Sequence, residues 1–546
     1  VGAGGGEGEA ADADVVEELC RRLDRLPLAL ELAAARARPL GLRGLLAALD
    51  TDVDGSLDLL RGGRRTTTRR HRSLRSVVEW SYGLLDTEQR TLFDRLSVFA
   101  GPVEYAAVVD VCGDAGALPD LVDRSLAVRT VGEPVRFGML ETLRAFGRTR
   151  VAGGAEGVRL RSRHAAWACR LADEIGADRR GPGEAAAVRR FDAHLADLRR
   201  AHAWLCESGP VEDLLRLTVP FAELAYLRGR VDLVRVTEQT LRVVGALATD
   251  TAPAAPATHP LVARLLGVYA ATWWQRGDLD TSERHARRAI AIAEAVREPA
   301  VACQGYEALA NVYSFRGDLA GALRNADIAY RLALDADDFD AQCNALLDLV
   351  IQSAYAGDHE SGDHYEAVLA ELAERTGAPT VRGFLAYCRG ERRAMRGDPA
   401  AARYLEEAMR AAERAGSGFV AGIARHTLLT SAARTATDPA TALLGFGPLL
   451  DYWHSFGAWT QLWIAIRALV ETLSRLERYR EAAVLLGALW ASPRASRVYG
   501  PDLERLRAVE QAAQTVLGAA FDQCRDAGAR LGDSGAIALA RRLTRD

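Results

Sequence analysis

A Gly-Asp pair returns every forty residues along this chain, at Gly277-Asp278, Gly317-Asp318, Gly357-Asp358 and Gly397-Asp398, with degenerate echoes at Thr437-Asp438 and Glu477-Arg478. A fixed period of this length is the signature of a stacked helical repeat, because one helix pair cannot bury its apolar face alone and needs neighbours to cover it. Five residues after the first position of each pair stands a small residue: Ser282, Ala322, Gly362, Ala402, Ala442 and Ala482. In a helix-turn-helix repeat the Gly and Asp make the tight turn, and the small residue lets the second helix pack closely on the first. The C-terminal half is therefore expected to be an α-solenoid, a surface for holding something.

The 546 residues leave room for about three or four domains. A formal charge of -4 is close to neutral for this length, so the chain as a whole is not an electrostatic nucleic-acid binder. Every one of the 69 basic residues is Arg. With no lysine present, the phosphate-binding loop GxxxxGK[ST] is excluded, since its Lys must reach the β- and γ-phosphates. The eight cysteines (Cys20, Cys112, Cys169, Cys206, Cys303, Cys343, Cys388, Cys524) show no CxxC pair and no clustered His, and read as small buried residues in a reducing cytosol. No apolar run approaches the roughly 18 residues of a membrane span, and the start VGAGGGEGEAADAD resembles no targeting peptide. A cytoplasmic protein is expected, and the first residue, Val rather than Met, suggests a partial product.

Residues 1–14 hold almost nothing that could be buried and are expected to be disordered. An apolar stripe through Val16, Leu19, Cys20 and Leu23, followed by Leu28, Leu30 and Leu32, predicts helix, bend at Pro27, helix, and Leu42–Leu49 a third helix. The stretch RGGRRTTTRRHRSLR, from Arg61 to Arg75, carries seven arginines in fifteen residues, a phosphate-contacting arm or a solvated connection between helices. Asp86 followed by Gln89 makes a capping box, opening a helix through Leu92, Phe93, Leu96 and Phe99 that stops at Gly101-Pro102. Helices over Tyr105–Val111 and Leu118–Leu126 precede two β-like runs, Ala127–Val131 and Val135–Met139, joined by Gly132-Glu133-Pro134. Three helices and a hairpin make a winged helix. Beyond Gly153-Gly154 the chain reads as helical to its end, with an irregular repeat turn at Leu227-Arg228-Gly229-Arg230 and a loop around Thr249–Pro260.

Four segments, RRLDRLPLALELAAAR at 21–36, HRSLRSVVEWSYGLLDTEQRTLFDRLSVFAG at 71–101, LPDLVDRSLAVR at 118–129 and RFGMLETLRAFGRTR at 136–150, carry a resemblance to the STAND-class regulatory ATPases. More narrowly the chain resembles actinobacterial regulators of the Streptomyces antibiotic regulatory protein kind and their LuxR-like relatives. The likeness extends through FDAHLADLRRAHAWL at 191–205 to LGAAFDQCRDAGARLGDSGAIALARRL at 517–543, nearly the whole chain. It implies an order of effector, nucleotide-binding module, helical module with a GLPLAL motif, winged helix and tetratricopeptide-like repeats, of which this chain begins just before the GLPLAL equivalent.

The expected organisation is a disordered start (1–14), the end of a nucleotide-switch module (15–85), a winged helix (86–150), a helical connector (155–260), six tetratricopeptide-like repeats (261–492) and a helical cap (493–546). By resemblance Pro27, in Arg25-Leu26-Pro27-Leu28-Ala29-Leu30, would lie against a bound nucleotide; on its residues alone it is a helix-bending proline. The run Met139-Leu140-Glu141 matches the family's Met-His-Asp motif, but Leu cannot donate a hydrogen bond, so sensing of an ADP phosphate by His is absent or has moved. Glu141 then reads either as a nucleotide-side residue or as an acid favoured by a helix N-terminus.

No HExxH, GxSxG, GxGxxG or nucleophile-and-base spacing is present, so neither catalysis nor metal binding is expected of this chain. His164, His194 and His202 read as structural or surface residues. Trp273-Trp274 would pack in the core or anchor a ligand on a concave repeat face. The leading expectation is the sensor and transmission part of a nucleotide-switched transcriptional regulator. Its repeats would take a protein or small-molecule signal, ATP or ADP would belong to the full-length parent, and DNA would be contacted through a separate effector domain. The rivals are a freestanding repeat scaffold and a winged-helix DNA binder, although a recognition helix offering Asp120, Asp123 and only Arg124 is poor for contacting phosphates.

Overall fold

The computed structural model describes residues 6–22, 41–51, 74–151, 153–247, 259–435 and 438–545, with Arg25, Leu30 and Ala37. Pro27, most of the arginine-rich stretch, Thr437 and most of the loop around 249–260 lie outside the described residues. The chain is mainly helical and divides into two compact units: one runs to Leu171 and includes Asp192–Gly209, the other is Ala172–Phe191 with Pro210–Asp546. The segment read as one connector, 155–260, is thus shared between two bodies.

The first unit holds α1 (Gly6–Arg22), α2 (Leu42–Thr51), α3 (Leu74–Gly83), α4 (Thr87–Leu96), α5 (Tyr105–Cys112), α6 (Leu118–Asp123) and α7 (Glu141–Val151), with parts of α8 (Gly154–Asp178) and α9 (Glu184–Ser208). At the start of α4 the Asp86 carboxylate accepts from the Gln89 N–H at 2.9 Å, and the Gln89 side chain accepts from the Asp86 N–H at 3.3 Å. Phe93 and Phe146 pack edge-on against Tyr82, each with ring centroids 5.4 Å away. The sheet has three strands and not the two of the expected hairpin: β1 (Val103–Glu104) and β2 (Val128–Arg129) flank β3 (Arg136–Gly138), all antiparallel. A two-residue strand leading straight into a helix has no alternation for a sequence reading to detect. The third helix also ends early, at Asp123, where Ser125 takes a left-handed conformation.

His164, His194 and His202 are buried in this unit, and His164 meets the carboxylate of Asp197. Asp197 accepts from the Ala100 N–H at 2.6 Å, the Gly101 N–H at 2.9 Å and the His164 ring at 3.0 Å. Burial pushes its pKa up, but these partners and Arg200 outweigh it and hold the carboxyl below its usual range.

In the second unit α10 (Val211–Arg228) and α11 (Val231–Val243) precede six helix pairs. These are α12 (Pro260–Gln275) with α13 (Leu279–Val296), α14 (Cys303–Phe315) with α15 (Leu319–Asp335), α16 (Phe339–Tyr355) with α17 (His359–Thr376), α18 (Pro379–Met395) with α19 (Ala401–Ala415), α20 (Gly418–Thr435) with α21 (Pro439–Phe456), and α22 (Trp459–Arg475) with α23 (Tyr479–Ala491). Three helices, α24 (Gly500–Leu517), α25 (Ala520–Ala529) and α26 (Gly532–Leu543), complete an α-solenoid.

Gly277, Gly317, Gly357 and Gly397 all have φ between 70° and 82°, the left-handed conformation that closes a helix C-terminus. In the first turn the Gly277 N–H donates to the Trp274 carbonyl and the Asp278 N–H to the Trp273 carbonyl. The same pair of bonds recurs at Gly317-Asp318, Gly357-Asp358, Gly397-Asp398 and Glu477-Arg478. The Asp side chains of the first three turns then take a free N–H of the next helix, Asp278 from Thr281, Asp318 from Gly321 and Asp358 from Ser361, whereas Asp398 accepts from Ala400, just before α19. Asp438 does the same for Ala440.

Of the small positions, Ser282, Ala322 and Ala482 are wholly buried, and Gly362 and Ala442 are buried too. Ala402 is exposed, contrary to expectation, and Ala401 takes the inner position. The cause is the start of α19 at Ala401, which turns Ala401, Leu405, Ala408 and Ala412 inward.

Candidate functional site

The first helices of the last five pairs carry polar side chains that line one cavity. On α14 these are Glu307, Asn311 and Ser314; on α16, Asn344, Asp348, Gln352 and Tyr355; on α18, Tyr387 and Glu391; on α20, His426, Thr427, Thr430 and Arg434; on α22, Gln461 and Arg467. The solenoid turns these faces toward one another. Tyr226 of α10 packs on Phe419 of α20 with centroids 5.5 Å apart, and the Thr460 hydroxyl donates to the Trp274 carbonyl, so the beginning and end of the repeat series meet. The faces enclose a cavity of about 420 Å³, the size of a small-molecule site. The segment before α24 covers one side: the Arg497 N–H donates to the Phe315 carbonyl at 2.8 Å, and the Tyr499 hydroxyl lies 3.3 Å from that of Ser314.

The walls are chemically divided. At one end Arg434 grips Glu471 at 2.8 and 3.0 Å, Arg467 meets Asp502 at 2.6 Å, and Arg505 pairs with both carboxylates. Burial raises the Asp502 carboxyl, but Arg467, Arg505 and Arg434 overcome it and leave the group below its usual range. His426 beside them is buried, and burial together with Arg467 and Arg434 lowers its pKa to about 3, so its ring is neutral at pH 7.

At the other end stand acids without such partners. Asp348 accepts from the Asn311 amide at 2.9 Å, and burial raises its pKa to about 7. Glu307 is pushed well up, by burial first and then by Asp348. Glu391, on α18, stands nearer the arginine cluster: it accepts from the hydroxyls of Thr427 at 2.6 Å and Tyr355 at 3.3 Å, and burial, with Asp502 adding and Arg434 opposing, raises its pKa too. Trp274 stacks on Phe315 at 5.1 Å and meets Phe419 edge-on, making the apolar wall.

Trp273 and Trp274 therefore part company. Trp274 lines the cavity, whereas Trp273 lies under the Arg276 guanidinium at 5.1 Å on a separate, shallower surface. Glu141 opens α7, and its two carboxylate oxygens are ion-paired to Arg144 at 2.8 Å and Arg148 at 3.0 Å. Both partners belong to α7 itself, so the carboxylate is held within its own helix. Among the described residues no group of His, Cys, Asp and Glu could hold a metal ion, and no helix is long and apolar enough to cross a membrane. The repeat-defining Gly and Asp residues shape turns, and the cavity-lining acids and arginines were not singled out in the sequence. The signal for them was present: polar residues three and four apart on α14, α16 and α20, where an ordinary core helix would be apolar.

No protein-family model matches the chain. A Mycobacterium tuberculosis protein named as an HTH-type transcriptional regulator is 32% identical over 215 residues, 38% of this chain and 24% of that protein, and its Mycobacterium bovis counterpart matches equally. An uncharacterised M. tuberculosis protein is 42% identical over 128 residues, 22% of this chain and 32% of that one. The matched region thus spans only about a quarter of the length of the regulators. Among solved structures, a STAND protein with a tetratricopeptide repeat sensor from Pyrococcus horikoshii aligns over 94% of this chain and 72% of its own, at 16% identity and a TM-score of 0.46. A Rap protein complexed with competence and sporulation factor aligns over 67% of this chain and 99% of its own, at 12% identity and a TM-score of 0.42. Partial likeness to named transcriptional regulators, joined to a repeat solenoid, is the extent of the kinship.

Proposed function

We propose that this chain is the sensor and transmission portion of a nucleotide-switched transcriptional regulator. Its repeats receive a signal in the central cavity, and the three-helix, three-strand module before them, read as a winged helix, passes it on. The observation that carries the reading is the cavity itself, enclosed by successive repeats and lined with buried polar groups that a merely structural solenoid does not need. The partial match to proteins named as HTH-type regulators supports the regulatory context. Coupling would be a population shift: a ligand that binds one curvature of the repeats more tightly than another biases the whole chain toward it. Under this reading the portion senses without catalysing, works in the cytoplasm, and leaves ATP and DNA to other parts of a longer protein.

The test is the coding DNA upstream of Val1. An open frame that continues into a GxxxxGK[ST] loop is the expected result. A stop codon close upstream, with a start at the Val1 codon, would overturn the nucleotide switch and favour a freestanding repeat scaffold.

A further inference from the structure

Asp348 and Glu391 are buried and Glu307 half-buried, yet among the described residues none of the three forms an ion pair with an Arg or His. Of the arginines that line the cavity, Arg434, Arg467 and Arg505 are bound to Glu471 and Asp502. One turn beyond Asp348 on α16, Gln352 is 6% exposed and its Oε1 has no hydrogen-bond partner; the Thr430 hydroxyl on α20, 9% exposed, has none either. Buried oxygens left unsatisfied in a native fold mark a place where a donor is missing. Around them stand Tyr226, Trp274, Phe315 and Phe419, whose ring faces attract cations as well as apolar groups.

We infer that the cavity binds an ammonium group carried on an apolar or aromatic body, with Glu307 and Asp348 as its counter-charges and Gln352 as a further acceptor. This rests on the sensor reading and names the class of its signal. The ammonium donates N–H bonds to the unsatisfied Gln352 Oε1 and to the carboxylates of Asp348 and Glu307, and its charge offsets the mutual repulsion of those two acids. The chemistry is common to a small amine and to the amino end of a short peptide.

Isothermal titration calorimetry of the full chain tests this with benzylamine, benzyl alcohol and benzoate, three probes of one size and three charges. Benzylamine is expected to bind at least about ten-fold more tightly than the other two, and to lose at least about ten-fold in Asp348→Asn combined with Glu307→Gln. Both substitutions keep the side-chain shape and remove a buried charge, so the variant is expected to fold; its circular dichroism checks this, and Gln352→Leu provides a second variant with the same expected direction. The dipeptide Phe-Ala and its N-acetyl form separate the sources. Tighter binding of the free dipeptide than of benzylamine, abolished by acetylation, assigns a peptide amino end, and weaker binding assigns a small amine. Equal or tighter binding of benzoate or benzyl alcohol overturns the inference, as does amine binding indifferent to the variants or no binding by any probe. Preference for benzoate would sink the ammonium assignment while leaving a ligand-sensing cavity, whereas the upstream reading frame decides the regulator independently.

Discussion

Asp348 shows how a single side chain records what surrounds it. Burial raises its pKa to about 7, above the roughly 3.9 of an unfolded chain, so the folded state holds a proton that the unfolded state releases. The penalty for a charged Asp348 is therefore complete above pH 7 and disappears as the pH falls toward the unfolded value. Asp348→Asn is expected to exceed the parent in stability by about 2 kcal/mol at pH 8 and to lose most of that advantage near pH 4, read as urea midpoints. The groups facing it are Glu307 and Asn311 on α14, Tyr226 on α10 and Cys388 on α18, and only Glu307 is a second carboxyl, likewise pushed up by burial. An advantage independent of pH would contradict the assignment. Asp197 illustrates the opposite case, a buried carboxylate fully engaged. Asp197→Ala would strand the Ala100 and Gly101 N–H groups and cost about 3 kcal/mol. Hydrogen exchange over residues 97–101 of the full chain reads the loss, and unchanged protection there would count against the role. Neither residue was legible as special in the sequence, because an Asp on an amphipathic helix looks the same whether its face meets water, a cavity or two backbone amides.

Elements were legible where their causes are local. The Gly-Asp turns, the Asp caps and the capping box at Asp86 depend on a few neighbouring residues and recur with the sequence that causes them. The degenerate last turn sharpens the point, since Glu477 adopts φ 58°, the conformation its glycine counterparts supply without strain. Glu477→Gly is expected to raise stability by about 1 kcal/mol, measured as a shift in urea midpoint; a loss of stability would show that the Glu side chain matters more than its backbone. The small-residue positions separate into two kinds. Ala322→Glu puts a charge and extra volume between helices and is expected to lower stability by on the order of 4 kcal/mol, whereas Ala402→Glu, on an exposed face, should change it by less than about 0.5 kcal/mol. Equal effects would refute the shifted phase of α19. The strand Val103–Glu104 escaped a sequence reading because its existence depends on β3, far along the chain.

At the scale of the whole molecule the decisive event lies within the second unit, where the series of helix pairs curves until Thr460 reaches the Trp274 carbonyl and Tyr226 reaches Phe419. Thr460→Val keeps the shape and removes the hydroxyl, and is expected to cost about 1 kcal/mol in a urea midpoint; no change would mean that packing alone closes the ring. The chain's own order determined that it is helical, that its repeats have a period of forty residues, and where each pair turns, because hydrogen bonds and caps act over a handful of positions. Tertiary structure alone decided that Glu307, Asp348, Glu391, Arg434 and Asp502 face one space. No single repeat contains that cavity. It arises from small rotations added pair by pair, and the burial that raises Asp348 and the arginines that hold Asp502 down act only once the walls have met.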